Sequence, residues 1–376
     1  MPVTIKEVSS KKELRKYIYL PAKIHKDHKN WVPPLYMDEW EYYNPKKNVS
    51  FSYCDTILLL AYRGDEIVGR IMGVINHKYN EKKNEKNGRW NYLETWEDQE
   101  VAHELLSYVE NWAREKGMIK IIGPFSFSEK DPQGFLTQGF DETVNIASIC
   151  NFKYLTEIVE KEGYSKEIDL VVYKVDIPEV MPEFYIRICE RTQRNNPDLR
   201  MLEFTKRRKL KPYVRPILTL LNNTFQDIYG FAALTTKEMD EFANRYLMLI
   251  NPRFVKAIVT PDNNPVAFVI GMADISKGIQ KCGGHLLPFG IFNLFSAAKK
   301  TKQITLLLGG IDPAYRGRGL DTWMGVKMFE SGRHENKEYF DSHCELETNK
   351  NIRAEMERMG GKVYKTYRIY QKSLVN

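Results

Sequence analysis

Residues 304–325 read ITLLLGGIDPAYRGRGLDTWMG, and this run restricts the fold more than any other part of the chain. An apolar strand pattern runs into Gly309-Gly310, passes Asp312-Pro313, and enters Arg316-Gly317-Arg318-Gly319 before an amphipathic helix opens at Leu320. Strand, glycine turn and helix in that order make a site for an anion. Glycines let backbone N–H groups converge with no Cβ in the way, and the new helix offers unpaired donors at the positive end of its dipole. Arg316 and Arg318 add fixed positive charge suited to a diphosphate. A bare Gly-x-Gly is usually only a turn; the strand before it and the helix after it favour binding.

The same order of elements surrounds this run and occurs once before it. In the first half, Val3–Val8, Ile57–Tyr62, Ile67–Ile75, Asn91–Trp96, Ile119–Gly123 and Asp169–Val175 read as strands. Lys11–His25, Gln99–Lys116 and residues 152–162 read as helices, and Val101, Leu105, Tyr108, Val109 and Trp112 share one face of the second. In the second half, the helices Val214–Ile228 and Lys237–Ile250 precede a hairpin of Phe254–Val259 and Val266–Ala273. After the anion turn come the helix Leu320–Gly332, the strand Phe340–Leu346, the helix Asn349–Met359 and the strand Val363–Tyr370. Such alternation predicts an α/β or α+β layered sheet, and the Pro-rich, basic stretch 177–211 places a boundary between two halves. The expected division is 1–180, a linker at 181–200, and 201–376.

Charge separates the halves as well. Residues 1–200 carry 29 basic and 32 acidic side chains, whereas residues 201–376 carry 27 and 17, so a polyanionic ligand should prefer the second half. Five scattered cysteines without a CxxC pair argue against a disulfide framework and a structural zinc, and no metal is expected. The polar start MPVTIKEVSSKKELRKY lacks an apolar signal core. Leu286–Ala298 is the most apolar stretch, too short to span a membrane and interrupted by Pro288 and Gly290; its part Leu286–Phe295 is expected to pack between the halves, ahead of lining an acyl or acceptor pocket or sitting at a membrane surface. The expected compartment is the cytoplasm.

The run Ile311-Asp-Pro-Ala-Tyr-Arg-Gly-Arg-Gly319 resembles the acyl-CoA motif of the GNAT (GCN5-related N-acetyltransferase) superfamily, Arg/Gln-x-x-Gly-x-Gly/Ala, with Arg316 first and Gly319 fourth. The resemblance covers the second half by element order. It implies two GNAT-like domains, each a mixed, mostly antiparallel central sheet flanked by helices, and acetyl-CoA or another acyl-CoA as co-substrate. It further implies that Leu308, Gly309, Gly310 and Ile311 pair with the pantetheine arm. Arg316, Gly317, Arg318, Gly319 and Leu320 would hold the pyrophosphate, and Asn349 would contact the CoA arm. Asp321 stands where the family has Gly or Ala; its carboxylate either repels the diphosphate or caps the helix in its place. The matching turn of the first half, Glu97-Asp98-Gln99-Glu100, is acidic, so that half resembles the fold without an acyl-CoA motif.

Acyl transfer to an amine needs a base for the ammonium proton. Asp341, His343, Glu345 and Glu347 alternate along Phe340–Asn349 and so are expected on one strand face, with Glu345 and Glu347 as candidate bases. Asp341 reads as solvated, His343 as structural, and no general acid is assigned. A Cys344–His343 nucleophile is rejected because the two point to opposite strand faces. The loops Gly123–Ser128 and Gly134–Phe140 are expected either to line an acceptor pocket at the junction or to be long ordered loops. The expected activity is acyl-CoA-dependent transfer, of the N-acetyltransferase type, to a small-molecule or peptide amine. Two other functions fit the same motifs: a non-catalytic GNAT-like binding protein, and a tRNA-dependent aminoacyl transferase that would use the basic run 205–211. That run reads more readily as a solvated linker, so nucleic acid is not an expected partner.

Overall fold

The computed structural model describes residues 1–226 and 228–375. Asp227, inside the expected helix Val214–Ile228, lies outside the described residues. The first half runs β1 (Val3–Glu7), α1 (Lys11–Ile24), α2 (Tyr36–Tyr42), β2 (Cys54–Arg63), β3 (Glu66–Asn76), α3 (His77–Lys83) and β4 (Asn87–Thr95). It continues with α4 (Gln99–Glu115), β5 (Lys120–Gly123), β6 (Phe135–Gln138), α5 (Lys153–Lys161) and β7 (Ser165–Asp176). The second half opens with α6 (Glu183–Asn195), β8 (Arg200–Glu203), α7 (Arg207–Thr224), α8 (Thr236–Tyr246), β9 (Val255–Val259) and β10 (Pro265–Ala273). Then come α9 (Ser276–Cys282), α10 (Gly290–Lys300), β11 (Gln303–Ile311), α11 (Leu320–His334), β12 (Tyr339–Asp341), β13 (Glu345–Leu346), α12 (Lys350–Arg358) and β14 (Lys362–Ser373).

Local chemistry sets many of these limits. Ser10 and Glu13 close a reciprocal cap on α1, each side chain accepting the other's backbone N–H. The Ser10 hydroxyl, together with the Ser9 and Ser10 N–H groups and the Ser9 hydroxyl, donates to the Glu13 carboxyl and holds it down at about 2. The segment expected as a linker carries α6, which packs on α11 through Thr192 and Cys189.

One continuous sheet joins the halves, in the order β1-β2-β3-β4-β5-β14-β7-β12-β11-β10-β9-β8. Among the described residues only β4–β5 and β11–β12 are parallel; the other pairs are antiparallel. The order contains an exchange. The first half's last strand, β7, lies beside β12 of the second half, and the chain's last strand, β14, lies beside β5 of the first. β7 and β14 then pair with each other from Lys174↔Lys362 to Ser165↔Gln371. Apolar faces pack on helices on both sides: α4 and α5 cover the first half's strands, and α6, α7 and α11 cover the second's.

The expected strand Phe340–Leu346 is not continuous. It breaks at His343, whose φ is 57, and the chain leaves β11 but keeps β7, with which it pairs again as β13. Asp341 Oδ1 accepts the His343 N–H at 2.8 Å and Ser342 Oγ accepts the Tyr173 N–H at 2.9 Å, which holds the kink. Asp341, His343, Glu345 and Glu347 therefore do not share one strand face.

Candidate active site

β11 and β12 are paired only at Gln303↔Tyr339, Ile304↔Phe340 and Thr305↔Asp341. Beyond Thr305, β11 keeps β10 on one side while the strand on the other side stays with β7 and no longer pairs with it, so the sheet splits. A bulge at Leu307, between the pairs Ile270↔Leu308 and Gly271↔Leu306, adds to the divergence. Leu308, Gly309, Gly310 and Ile311 all lie on this open-edged stretch, partly or fully exposed.

The chain then enters the glycine turn. Asp312 Oδ1 accepts the Ala314 N–H at 2.9 Å and starts a short helical turn over Pro313–Tyr315. Gly317 and Gly319 both take left-handed φ values, 74 and 77. Gly319 is the N-cap of α11 and no side chain caps that helix, so its first N–H groups are left for a ligand or water. Asp321, exposed on the first turn, does not serve as a cap. Arg316 and Arg318 are exposed; Arg316 Nε donates to Ile311 O and Arg318 Nη2 to Ala314 O, both at 3.3 Å. Leu320 is buried in the core and anchors the helix start. Asn349 is the N-cap of α12, its Oδ1 accepting from the Ile352 N–H at 3.4 Å.

The two candidate bases differ sharply. Glu347 accepts from Lys166 Nζ at 2.7 Å and from the Asp169 N–H at 3.0 Å, an ion pair that ties it to β7. Glu345, on the β13 wall of the split, has no hydrogen-bond or ion-pair partner among the described residues, and burial pushes its carboxyl up to about 8. A carboxylate without a partner costs energy when ionised, so it takes a proton readily near neutral pH. Its neighbours Cys344 and Leu346 alternate to the opposite strand face, where they pack with Leu170 and Val172, while Glu345 lies opposite Val171 of β7.

Asp341 is not solvated. It is fully buried and pairs at 3.0 Å with Lys365 Nζ, itself buried, while the Tyr364 hydroxyl donates to the same Oδ2. The contact with Asp341 occupies the Tyr364 hydroxyl. Burial pushes the Cys344 thiol up to about 12, which removes the thiolate a nucleophile would need.

The first half shows the same split, filled. β4 and β5 pair only from Asn87↔Lys120 to Arg89↔Ile122. The chain after Gly123 then lies along β4: Phe125 N donates to Trp90 O at 2.8 Å, and Arg89 Nη1 donates to Ser126 O and Phe127 O at 2.9 and 3.0 Å. A Cβ on Gly123 would lie 2.4 Å from Trp90 O, so only glycine fits. Gly123–Ser128 is thus a plug in the first sheet. At the matching helix start, Asp98 caps α4 and pairs with Arg63 at 2.9 Å, filling the anion position from within the chain.

A second polar cluster has little trace in the sequence. Buried His25 pairs through Nε2 with Glu94 at 3.0 Å, and its Nδ1 is 2.9 Å from His28 Nδ1. With the Nε2 proton held by Glu94, His25 Nδ1 accepts from His28, and His28 Nε2 is left as a proton acceptor. Burial and the His25 ring hold His28 down at about 4. It borders an open cavity of about 400 Å³ with Asn30, Phe140, Asn151 and Phe152. The His-x-x-His spacing is visible in the sequence, but Glu94 is 69 residues away. Among the described residues no group of His, Cys, Asp or Glu is placed to hold a metal ion, and no helix is long and apolar enough to cross a membrane.

No family model matches the chain. The bacterial ceramide synthase of Caulobacter vibrioides is 29% identical over 374 residues, covering 98% of this chain and 96% of that protein. Protein YghO of Escherichia coli K12 is 25% identical over 374 residues, covering 97% and 94%. Among solved structures, a tandem GNAT protein from the clavulanic acid biosynthesis pathway superposes with a TM-score of 0.55 at 11% identity, covering 100% of this chain and 99% of that one. A GCN5-related N-acetyltransferase from Sphaerobacter thermophilus gives 0.52 at 10% identity, covering 100% and 96%. The chain therefore resembles the GNAT superfamily and carries its fold along its whole length.

Proposed function

We propose that this chain is an N-acyltransferase that takes its acyl group from acyl-CoA and delivers it to an amine. The observation that carries this is Glu345: a carboxylate without a partner among the described residues, on the wall of the sheet split that is left open in the second half. The pantetheine arm would add to the free edge of Leu308–Ile311. The diphosphate would lie on the N–H groups of Gly317–Leu320 between Arg316 and Arg318. Glu345 takes the ammonium proton, the amine nitrogen attacks the thioester carbonyl, and the C–S bond breaks to release the CoA thiolate. Asn349, occupied as a cap, would reach the CoA arm only with its free amide N–H group.

The acceptor we propose is a long-chain amino alcohol and the donor a fatty acyl-CoA. One observation supports this choice: the full-length similarity to a protein named a ceramide synthase. Neither Asp321 as a self-supplied cap nor a basic linker contacting RNA gains support: Asp321 caps nothing, and Arg207 of the basic run donates to Leu247 O and Met248 O.

The test is direct. Purified chain incubated with palmitoyl-CoA and a long-chain base should release free thiol and form an N-acyl product visible by mass spectrometry. Silence with every acyl-CoA, together with no calorimetric binding of CoA, sinks the proposal. Gly319→Val is expected to weaken CoA binding roughly 10–100-fold, the range for losing one or two hydrogen bonds to a charged group. The substitution strains a φ of 77 and drives a Cβ to 2.5 Å from Thr192 Oγ1. Asp321→Asn removes a carboxylate from the helix start and should tighten CoA roughly 2–5-fold at low salt, an advantage that fades as salt rises. Unchanged calorimetric affinity in both variants places the nucleotide elsewhere.

A further inference from the structure

The connection between β10 and β11 is where the second half departs most from the first. Two helices, α9 and α10, lie between these strands and lock together at Gly278, where a Cβ would come within 2.6 Å of Asn293 O. The pair is fastened to the first half. Gln280 Nε2 donates to Lys29 O and Trp31 O at 2.9 and 2.8 Å, and Tyr36 N donates to Gly284 O at 3.1 Å. Packing between the halves, the first expectation for Leu286–Phe295, accounts for only one side of it.

The other side presents large apolar groups to solvent. Leu294 is buried, but Leu287 and Phe289 are 73% exposed, Phe292 is 65% exposed and Phe295 is 42% exposed. Phe292, Phe295 and Lys299 are spaced i, i+3, i+7, so they share one helix face. Residues 275–302 hold Lys277, Lys281, Lys299, Lys300 and Lys302 and no acidic residue. All five lysines are exposed, and Lys302 pairs with Glu338. Aromatic groups displayed on a rigid mount and ringed by cations fit the boundary between phosphate headgroups and acyl chains.

We propose that this hairpin docks the protein on an anionic lipid bilayer. Leu287, Phe289, Phe292 and Phe295 enter the headgroup boundary, and Lys281, Lys299 and Lys300 meet lipid phosphates. A second copy of the chain suits the surface poorly, because a twofold contact would set the lysines against one another with no acid in the segment to answer them. The patch lies before the first residue of β11 and the anion turn after its last. The proposal goes beyond acyl transfer and stands whether or not that reading holds.

Flotation of the full chain with vesicles tests it. The protein should float with vesicles of phosphatidylcholine and phosphatidylglycerol, remain behind with phosphatidylcholine alone, and be released by salt. The triple change Leu287→Ser, Phe289→Ser, Phe292→Ser should lower the bound fraction about tenfold or more while leaving the melting curve unchanged. The triple change Lys281→Glu, Lys299→Glu, Lys300→Glu should do the same. Absence of flotation, or equal flotation of wild type and either variant, overturns the proposal. So does light scattering that finds a dimer which the serine variant dissolves, since that would give the surface to a second copy.

Discussion

Glu345→Gln is expected to lower the acyl-transfer rate by about 10²–10⁴, the usual contribution of a positioned general base, and to leave acyl-CoA affinity unchanged. Glutamine keeps the shape and cannot take a proton. The pH profile sharpens the test. With the carboxyl near 8, the wild-type rate should climb as pH rises through 8 and then level, and the variant should lose that limb. Stability should move the other way. The folded state holds the Glu345 proton up to about 8, while the unfolded chain gives it up near its ordinary 4.5. The folded protein therefore binds more protons between these values and loses stability as pH rises through the window. Glu345→Gln should flatten that slope in thermal melts recorded from pH 5 to 9. A variant with wild-type rate and an unchanged profile would remove Glu345 from the chemistry and move attention to Glu347 or His28.

Ending the chain after Gly361 should abolish cooperative folding of both halves, not only the second. β14 supplies buried Tyr367, Ile369 and Tyr370, and it pairs along β5, β6 and β7. Loss of a single large buried side chain costs about 3–5 kcal/mol, against a total stability of about 5–15 kcal/mol. The truncation also strands Asp341, a fully buried carboxylate whose cation is Lys365. An unpaired buried charge adds a further ~3–5 kcal/mol. Circular dichroism and solubility provide the check: a truncated chain that still melts cooperatively within a few degrees of the full one would show that β14 is dispensable. Lys365→Met isolates the charge contribution and should lower the melting temperature with the sheet otherwise intact.

What the sequence shows and what it hides follow a physical line. Gly317 and Gly319 are legible because left-handed backbone admits few residues besides glycine. The two apolar runs of Ile57–Ile75 and the Gly/Asp turn between them are legible because a hairpin is local. The partner of an edge is not local: β7 and β14 have ordinary strand patterns, and nothing in either records that each lies beside the other half. His343 hides its kink because a positive φ at a non-glycine residue is stabilised by Asp341 and Ser342 contacts rather than by composition. The phenylalanines of α10 are expected first to pack between the halves for the same reason that Asp341 reads as solvated. Hydropathy reports what a residue prefers, and both sit against that preference. The Glu94–His25–His28 chain joins two segments that only the fold brings together.

The strand exchange also sets a schedule for synthesis. β5 emerges from the ribosome with one edge bare, and the strand that covers it begins at Lys362, 239 residues after Gly123. At ~5–20 residues per second, translation leaves that edge open for about 12–48 s. A nascent first half must therefore wait, held by α4 and α5 and shielded from pairing with another nascent chain, until the twelve residues of β14 arrive to complete it.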